Sequence, residues 1–307
     1  MEIGCGLQRV MDTKMDGGRA VALSAIGNTS RISTRSLRKK KTSLLTPKKF
    51  IEHVQSKHSS KQFEAGVAEI FKEFYPETPT FTNFFKKSNK DKNAKPNIWL
   101  YDSTRVVVPD VDYYHASYVD GASRPNEYIL AQAPFNAALQ KDFFKLLQHV
   151  KPEAVIIADG NEEASAFILS KTDKTPSKMS TERSNDDMLQ TALNVGGPKS
   201  IKLFKLTKFD DKPPNESEFL DTHERIRKNL GWNLKGPIVV VCKDGATKSG
   251  IFVLLDMEAG RLKEKSKVRL TDSIKSIRNM RSNTFDTIEN FEIGVNLVLE
   301  LCKRAKK

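Results

Sequence analysis

The stretch that most constrains this sequence is residues 236–253, GPIVVVCKDGATKSGIFV. A run of β-branched apolar residues ends at Cys242, and the pattern predicts a buried strand, a short loop with Gly245, and a helix from Ser249 onward. Such a loop turns backbone N–H groups inward at the N-terminus of the next helix, which makes a nest for an anion. The N–H groups and the helix N-terminus produce a positive electrostatic potential at the end of the strand. We therefore expect Cys242 to have a lowered thiol pKa and to act as a nucleophile.

Another interpretation of this stretch stays open on the residues alone. Cys242 can be a buried core cysteine at the end of a strand, with no chemical role. A nucleotide-binding P-loop is excluded by spacing, because the pattern G-x-x-x-x-G-K-[ST] needs glycines where Cys242 and Thr247 stand.

The rest of the sequence mixes strands and helices, which indicates an α/β domain built on a buried sheet. Ahead of PIVVV, we predict strands in RVVVPDVDYYHASYVDG, NEYILAQAP, AVIIA and SIKLFKLTKF. We predict helices in FEAGVAEIFKEF, ALQKDFFKLLQHV and SEFLDTHERIRKNL, and further helices from Ser249, near 273–280 and near 287–303. Residues 160–199 are polar and show no clear period, so we predict a long irregular insertion there.

Positive charge is concentrated near the N-terminus of this sequence. The 307 residues carry a net charge of +13, and residues 1–49 hold 11 Lys and Arg against 3 Asp and Glu. We predict a disordered basic tail over residues 1–49 and one domain over residues 50–307. For the tail, a solubilising arm is favoured over nuclear import or an acidic partner. It lacks aromatic residues that stack on bases, so we do not expect nucleic-acid binding.

The cysteines and the apolar runs bear on the compartment. Three cysteines show neither metal-ligand spacing nor a disulfide framework, which is typical of a reducing compartment. No apolar run approaches ~18 residues, so we expect no transmembrane helix. We therefore predict a cytoplasmic or nuclear protein, with no metal and no cofactor.

Several stretches resemble the cysteine-dependent protein tyrosine phosphatases, in the same order along the chain. PIVVVCKDGATKSG is similar to the family signature, roughly P-I-V-V-H-C-x-x-G-x-x-R-[ST]-G. DYYHASYVDG, YILAQAP and TFDTIENFEIGVNLVLEL are similar to other family segments, and the likeness runs from about residue 60 to residue 303. The resemblance implies the fold of that family, a central twisted mixed sheet flanked by helices.

The resemblance also implies a role for each residue of the loop. Cys242 stands at the nucleophile position and Ser249 at the hydroxyl that supports the thiolate. The phosphate-binding positions between them are held by Lys243, Asp244, Gly245, Ala246, Thr247 and Lys248. Lys248 replaces an arginine and loses the planar fork that grips two phosphoryl oxygens, and Val241 replaces a supporting histidine. Asp244 repels both thiolate and phosphate unless its side chain turns outward.

Three further positions differ from the family pattern. In TKFDDKPP, Asp210 aligns with the general acid, behind Lys208 and Phe209 where the family has Trp and Pro; a plain turn aspartate is an equal alternative. Lys95 stands at the substrate-recognition tyrosine, and an ordinary solvated lysine is the favoured interpretation. Asp286 stands at the second-step glutamine, and we favour a helix-capping role for it.

Because these departures occur together, the resemblance implies a pseudophosphatase. We expect a phosphatase-like domain without useful turnover that binds, scaffolds or regulates in phosphotyrosine signalling, with a phosphoprotein or a kinase as its partner. The alternative is a low-activity phosphatase that hydrolyses phosphotyrosine through a Cys242 thiophosphate intermediate. Nucleic-acid binding through the basic tail is the least favoured class.

Overall fold

A computed structural model describes residues 44–58, 79–170, 187–196, 200–210 and 212–306. The predicted basic tail lies outside the described residues up to residue 43, and so does the predicted helix in FEAGVAEIFKEF. The first described helix begins at Pro47 and spans the position of the predicted domain boundary.

One mixed sheet organises the described part of the chain, as the sequence predicts. Its strands lie in the order β1-β2-β6-β3-β5-β4, with β2, β6, β3 and β5 parallel and the two edge strands antiparallel. Their bounds are β1 Ala116–Val119, β2 Tyr128–Gln132, β3 Ala154–Ile157, β4 Met188–Leu193, β5 Ile201–Leu206 and β6 Ile238–Cys242.

Helices flank both faces of this sheet. Their bounds are α1 Pro47–His58, α2 Thr82–Phe85, α3 Ala137–Val150, α4 Ala166–Leu169, α5 Glu216–Leu230, α6 Thr247–Lys265, α7 Leu270–Met280 and α8 Ile288–Arg304, with a short 3-10 helix Lys87–Lys92 after α2. None of the helices in the described ranges is long and apolar enough to cross a membrane.

The central strand β6 explains the layering, because its successive side chains point to opposite faces of the sheet. Ile238 and Val240 pack into a core with residues of α1, α5, α6, α7 and α8. Val239 and Val241 pack into a second core with residues of α3 and α4. All five residues of β6 are buried, which is why the stretch is apolar without alternation.

Two predictions of secondary structure, one for residues 160–199 and one for RVVVPDVDYYHASYVDG, were wrong in part. Residues 160–199 are not wholly irregular, since they contain α4 and the edge strand β4, whose mostly half-exposed side chains give no clear period. The strand predicted in RVVVPDVDYYHASYVDG is limited to β1. Pro109 lacks an N–H, and Asp110 has a φ of +59°, so the chain turns there instead of continuing extended.

Candidate active site

The loop between β6 and α6 is closed by a glycine that no other residue can replace without strain. Gly245 has a φ of +66°, in the left-handed region that favours glycine. A Cβ atom added to it would lie 2.2 Å from the backbone nitrogen of Gln132 on the neighbouring strand β2. The loop therefore turns directly against the C-terminal end of β2, and Gln132 is the residue paired with Cys242 in the sheet.

The side chain of Asp244 turns inward and fills the nest that this loop forms. Its carboxylate accepts hydrogen bonds from the N–H of Ala246 at 2.8 Å, the N–H of Thr247 at 2.9 Å and the hydroxyl of Thr247 at 2.6 Å. These donors stand at the N-terminal end of α6, where a helix favours an anion. Burial alone would raise the pKa of Asp244, but these bonds outweigh it and lower the pKa below its ordinary value.

Cys242 lies beneath this carboxylate and is buried at the end of β6. Its thiol donates to the Asp244 carboxylate at 3.2 Å, while the hydroxyl and the N–H of Ser249 lie 3.3 Å and 3.4 Å from the sulfur. Burial and the charge of Asp244 raise the pKa of the Cys242 thiol to about 12. That direction is opposite to the one that an empty nest predicts, because burial disfavours the thiolate and the nest already holds a negative charge.

Lys248, which stands at the arginine position, points to a carboxylate beside the loop. Its ammonium lies 2.8 Å from Asp159, which follows β3 and is buried. Asp159 also accepts the backbone N–H of Lys243, whose side chain pairs with Glu163 on the surface. The positive charges of the loop are thus already paired with acidic side chains. A role for Asp159 at the site was not predicted. An acidic residue that follows a strand parallel to the cysteine strand could have indicated it, because the ends of parallel strands meet at one edge of the sheet.

Arg281, a second residue that the sequence did not reveal, supports the loop from below. It is fully buried, and its guanidinium donates to the carbonyls of Gly245 at 2.8 Å and Asp244 at 3.1 Å. Burial lowers the pKa of Arg281 to about 10, against the charge of Asp244, which acts in the other direction. Burial and the Arg281 charge also lower the pKa of His115 well below its ordinary value. A buried arginine is uncommon, and nothing in the local pattern indicated it.

Asp210, the general-acid candidate, lies on the surface in a turn. Its carboxylate accepts the N–H of Lys212 at 3.0 Å, and in the described residues it makes no hydrogen bond to the loop. Phe209 before it is buried and packs edge-on against Phe219, with ring centroids 5.0 Å apart. Lys208 pairs with acidic side chains at a charged cleft of about 570 Å³, whose lining residues are Asp187, Lys208, Glu218, Asp221, Glu224, Arg225 and Lys228.

The structure brings Lys95 to the edge of the site through Gln132. The Gln132 amide oxygen accepts the N–H of Ala94 at 3.0 Å, and its NH2 group donates to the carbonyl of Lys92 at 2.6 Å. Lys95 follows this anchored segment, and it is exposed. The role of Gln132, which lies in the quoted segment YILAQAP, was not predicted.

The helix-capping prediction for Asp286 is wrong, because Thr287 is the residue that caps α8. The Thr287 hydroxyl accepts the N–H of Asn290 at 3.2 Å. Asp286 instead accepts from the guanidinium of Arg278 at 3.1 Å and from the Asn283 amide at 2.6 Å. The aspartate therefore closes a turn between α7 and α8. Within the described residues, no three His, Cys, Asp or Glu side chains group as metal ligands.

The sequence of this chain is similar to those of known tyrosine phosphatases. The family model described as Protein-tyrosine phosphatase matches residues 89–300. The human receptor-type tyrosine-protein phosphatase zeta is 26% identical over 284 residues, which cover 80% of this chain and 12% of the receptor. The Lar-like tyrosine-protein phosphatase of Caenorhabditis elegans is 28% identical over 69% of this chain and 10% of its own length.

A third relative has a length closer to that of this chain. The probable tyrosine phosphatase protein N1 of Microplitis demolitor bracovirus is 26% identical over 71% of this chain and 78% of its own length. The chain spans only about an eighth of the receptor relatives, so their other regions have no counterpart in the match. The family match covers more than half of the residues, including every strand of the sheet and the loop around Cys242. The chain therefore belongs to the protein-tyrosine phosphatase family.

Proposed function

We propose that this domain binds a partner in phosphotyrosine signalling and does not turn over phosphotyrosine at a useful rate. The observation that carries this proposal is the inward side chain of Asp244. Its carboxylate takes two backbone N–H groups and a hydroxyl of the loop, within 3.2 Å of the Cys242 sulfur. A phosphoryl group needs the same donors, and it would have to displace a half-buried negative charge to reach them.

The protonation state of Cys242 supports the proposal. Burial and the charge of Asp244 raise the pKa of the Cys242 thiol to about 12, so the neutral thiol is the dominant form near pH 7. Because the thiolate is the nucleophile, this shift lowers the rate of attack on phosphorus.

Lys248 supports the proposal in a different way. A lysine offers a single point charge, where the arginine fork grips two oxygens of the transferred group. Losing one such transition-state contact costs about 10²–10³ in rate. The Lys248 ammonium is also paired with Asp159 at 2.8 Å, so it would have to leave a carboxylate before it met a phosphate.

The partner in this proposal is a phosphoprotein or a kinase, recognised by the surface around the loop. The two cysteines in the described residues are free and buried, which fits a cytoplasmic or nuclear location. The names of the relatives describe phosphatases, but the chain spans about an eighth of the receptors, so no partner of theirs is carried over.

A second candidate function is slow hydrolysis through a Cys242 thiophosphate. The retained contact favours it: the Ser249 hydroxyl and N–H both lie within 3.4 Å of the sulfur, where they can stabilise a thiolate once it forms. In that case Asp210 or water would have to protonate the leaving group.

One assay separates the two functions. Purified full-length protein and Cys242→Ser are compared on an aryl phosphate, and we expect no turnover above the level of Cys242→Ser. Turnover that Cys242→Ser abolishes would overturn the binding function and establish the slow enzyme. In parallel, a phosphotyrosine peptide and its unphosphorylated form should bind with equal affinity, since the nest is filled.

A further inference from the structure

Five lysines crowd the segment that Gln132 ties to the edge of the site. We call them the lysine ridge: Lys86, Lys87, Lys90, Lys92 and Lys95. Four are exposed and Lys92 is half-buried, and Asp91 is the one acidic residue within residues 86–95. In the described part of the chain, no salt bridge joins any of the five to a carboxylate.

Unpaired like charges in so short a segment repel one another, and an anionic partner relieves this repulsion. Elsewhere on the site the cations are paired, Lys248 with Asp159 and Lys243 with Glu163. Among the lysines around the Cys242 loop, those of the lysine ridge are therefore the ones whose positive charge stays available to a partner.

The backbone of the ridge is fixed, which favours recognition over a merely solvated lysine run. The Gln132 side chain binds the backbone of Lys92 and Ala94, and the Tyr113 hydroxyl donates to Asn93 at 2.6 Å. The Asn89 side chain is buried within the 3-10 helix and donates to the carbonyl of Asn83 at 2.8 Å. A preorganised surface loses less entropy on binding than a mobile one.

An exposed aromatic ring adjoins the ridge. Phe85 directly precedes Lys86, and its side chain is 62% exposed, the largest value among the exposed hydrophobic residues of the described chain. Its ring contacts three neighbours edge-on, with centroid distances of 5.1 Å to Phe84, 5.9 Å to Trp99 and 6.3 Å to Phe81. Phe85 is thus an apolar contact held by its neighbours, beside lysines whose backbone is fixed.

We propose that the lysine ridge and Phe85 together dock an acidic peptide segment of a partner protein, with one apolar side chain of that segment against Phe85. The proposal rests on the proposed function, in which the Asp244 carboxylate occupies the nest and the partner is recognised by the surface around the loop. Charge complementarity selects the acidic chain, and a single exposed ring matches one apolar side chain. Insertion into a lipid surface is less favoured, because three aromatic neighbours hold Phe85 in place and it is the one strongly exposed ring in this cluster.

The probe for this proposal is a fluorescein-labelled, Glu-rich peptide with one central leucine and no phosphate. We expect saturable binding to the full-length protein by fluorescence anisotropy, which weakens as salt increases. The variant Lys86→Glu/Lys87→Glu/Lys90→Glu should weaken binding at least ~10-fold. The matched control is Lys235→Glu/Lys265→Glu/Lys267→Glu, which makes the same change in net charge at exposed lysines before β6 and at or just beyond the C-terminal end of α6.

The apolar contact is tested by a double-mutant cycle. Phe85→Ala should weaken binding of the leucine peptide about fivefold and should hardly change binding of a peptide with alanine in place of leucine. Additive losses would overturn the contact between Phe85 and the leucine. Equal losses in the ridge and control variants would overturn the ridge as the docking site.

Two further outcomes decide the nature of the partner. No binding of the Glu-rich peptide, together with ridge-dependent binding to phosphatidylserine vesicles, would overturn the proposal in favour of a membrane surface. Failure of the proposed function is seen separately, as Cys242-dependent turnover of an aryl phosphate. That turnover leaves the peptide measurement unaffected, because the probe carries no phosphate.

Discussion

The carboxylate of Asp244 lies 3.2 Å from the sulfur of Cys242 and accepts the hydrogen bonds that close the loop over it. One side chain therefore sets two properties of the site. It disfavours the thiolate by its charge, and it occupies the donors that an external anion would need. Both properties can be changed by substitutions at a single position.

Replacing Asp244 should lower the pKa of the Cys242 thiol. In Asp244→Ala the negative neighbour is lost and the N–H groups of Ala246 and Thr247 become free to face the sulfur, so we expect a decrease of roughly 1–2 pH units. Asp244→Asn removes the charge but keeps an acceptor oxygen, and it should give a smaller decrease. The pH dependence of alkylation by iodoacetamide, followed by mass spectrometry at Cys242, measures the change. Identical profiles for all three proteins would contradict this prediction.

Removing Asp244 should also open the nest to an external anion. Tungstate or phosphate should raise the melting temperature of Asp244→Ala but not that of the wild-type protein. Adding Lys248→Arg should strengthen anion binding by about tenfold, since the guanidinium can grip two oxygens. The matched control is Asp244→Ala with Lys235→Arg, which makes the same exchange far from the loop. A wild-type protein that binds tungstate as tightly as Asp244→Ala would show that the carboxylate does not fill the nest.

The geometry of the loop can be tested by comparing Gly245 with Gly231. Both have a positive φ, but their surroundings differ. Gly245→Ala combines a strained φ with a Cβ 2.2 Å from the Gln132 nitrogen, and we expect it to cost more than about 3 kcal/mol of unfolding free energy. Gly231 has a φ of +73° and a ψ of −173° but nothing within 4 Å of an added Cβ, so Gly231→Ala should cost only its backbone strain, about 1–3 kcal/mol. Urea denaturation measures both. Equal costs would mean that the loop can move away from β2.

The fold was predictable to a large extent because its strongest elements are apolar and periodic. β6 and α3 are buried or amphipathic over their whole length, and the structure places them where the pattern does. β4 was missed because an edge strand pairs on one side only and needs few apolar residues. Its polar sequence is compatible with a loop until its partner β5 is known.

The site was predictable in its positions but not in its orientations. The sequence places a carboxylate at Asp244, yet whether that side chain faces the sulfur or the solvent depends on hydrogen bonds formed only in the folded loop. Arg281 lies 36 residues beyond Gly245 in the chain, so its contact with the loop depends on tertiary packing. Sequence patterns carry little information about such long-range polar contacts.

Arg281 should be essential for the stability of the loop. Arg281→Met leaves the carbonyls of Gly245 and Asp244 without their donor in a buried place, and we expect a loss of about 2–4 kcal/mol in unfolding free energy. Arg124 makes the same kind of contact, to the carbonyls of Lys235 and Gly236, but it is half-exposed. Arg124→Met should therefore cost less than about 1 kcal/mol. Similar losses in the two variants, measured by urea denaturation, would contradict a special role for Arg281.

Asp102 should make the attachment of α2, which carries Phe85, depend on pH. Its carboxylate accepts the N–H groups of Thr82 and Asn83 at 2.7 Å and 2.9 Å. Burial alone would raise the Asp102 pKa, but the hydrogen bonds from Asn83 and Thr82 outweigh it and lower the pKa to about 2. Because the folded pKa lies below the unfolded one, the stabilisation is complete above about pH 4 and is lost as the pH falls toward 2.

The comparison of wild-type protein with Asp102→Asn measures this effect. The difference in unfolding free energy should be constant from about pH 7 to pH 5 and should shrink below about pH 4, since protonated aspartic acid and asparagine are both uncharged. Asp112→Asn is the matched control, because Asp112 is exposed, and it should give almost no difference at any pH. A difference for Asp102→Asn that stays constant or grows below pH 4 would show that the carboxylate charge does not hold α2 in place.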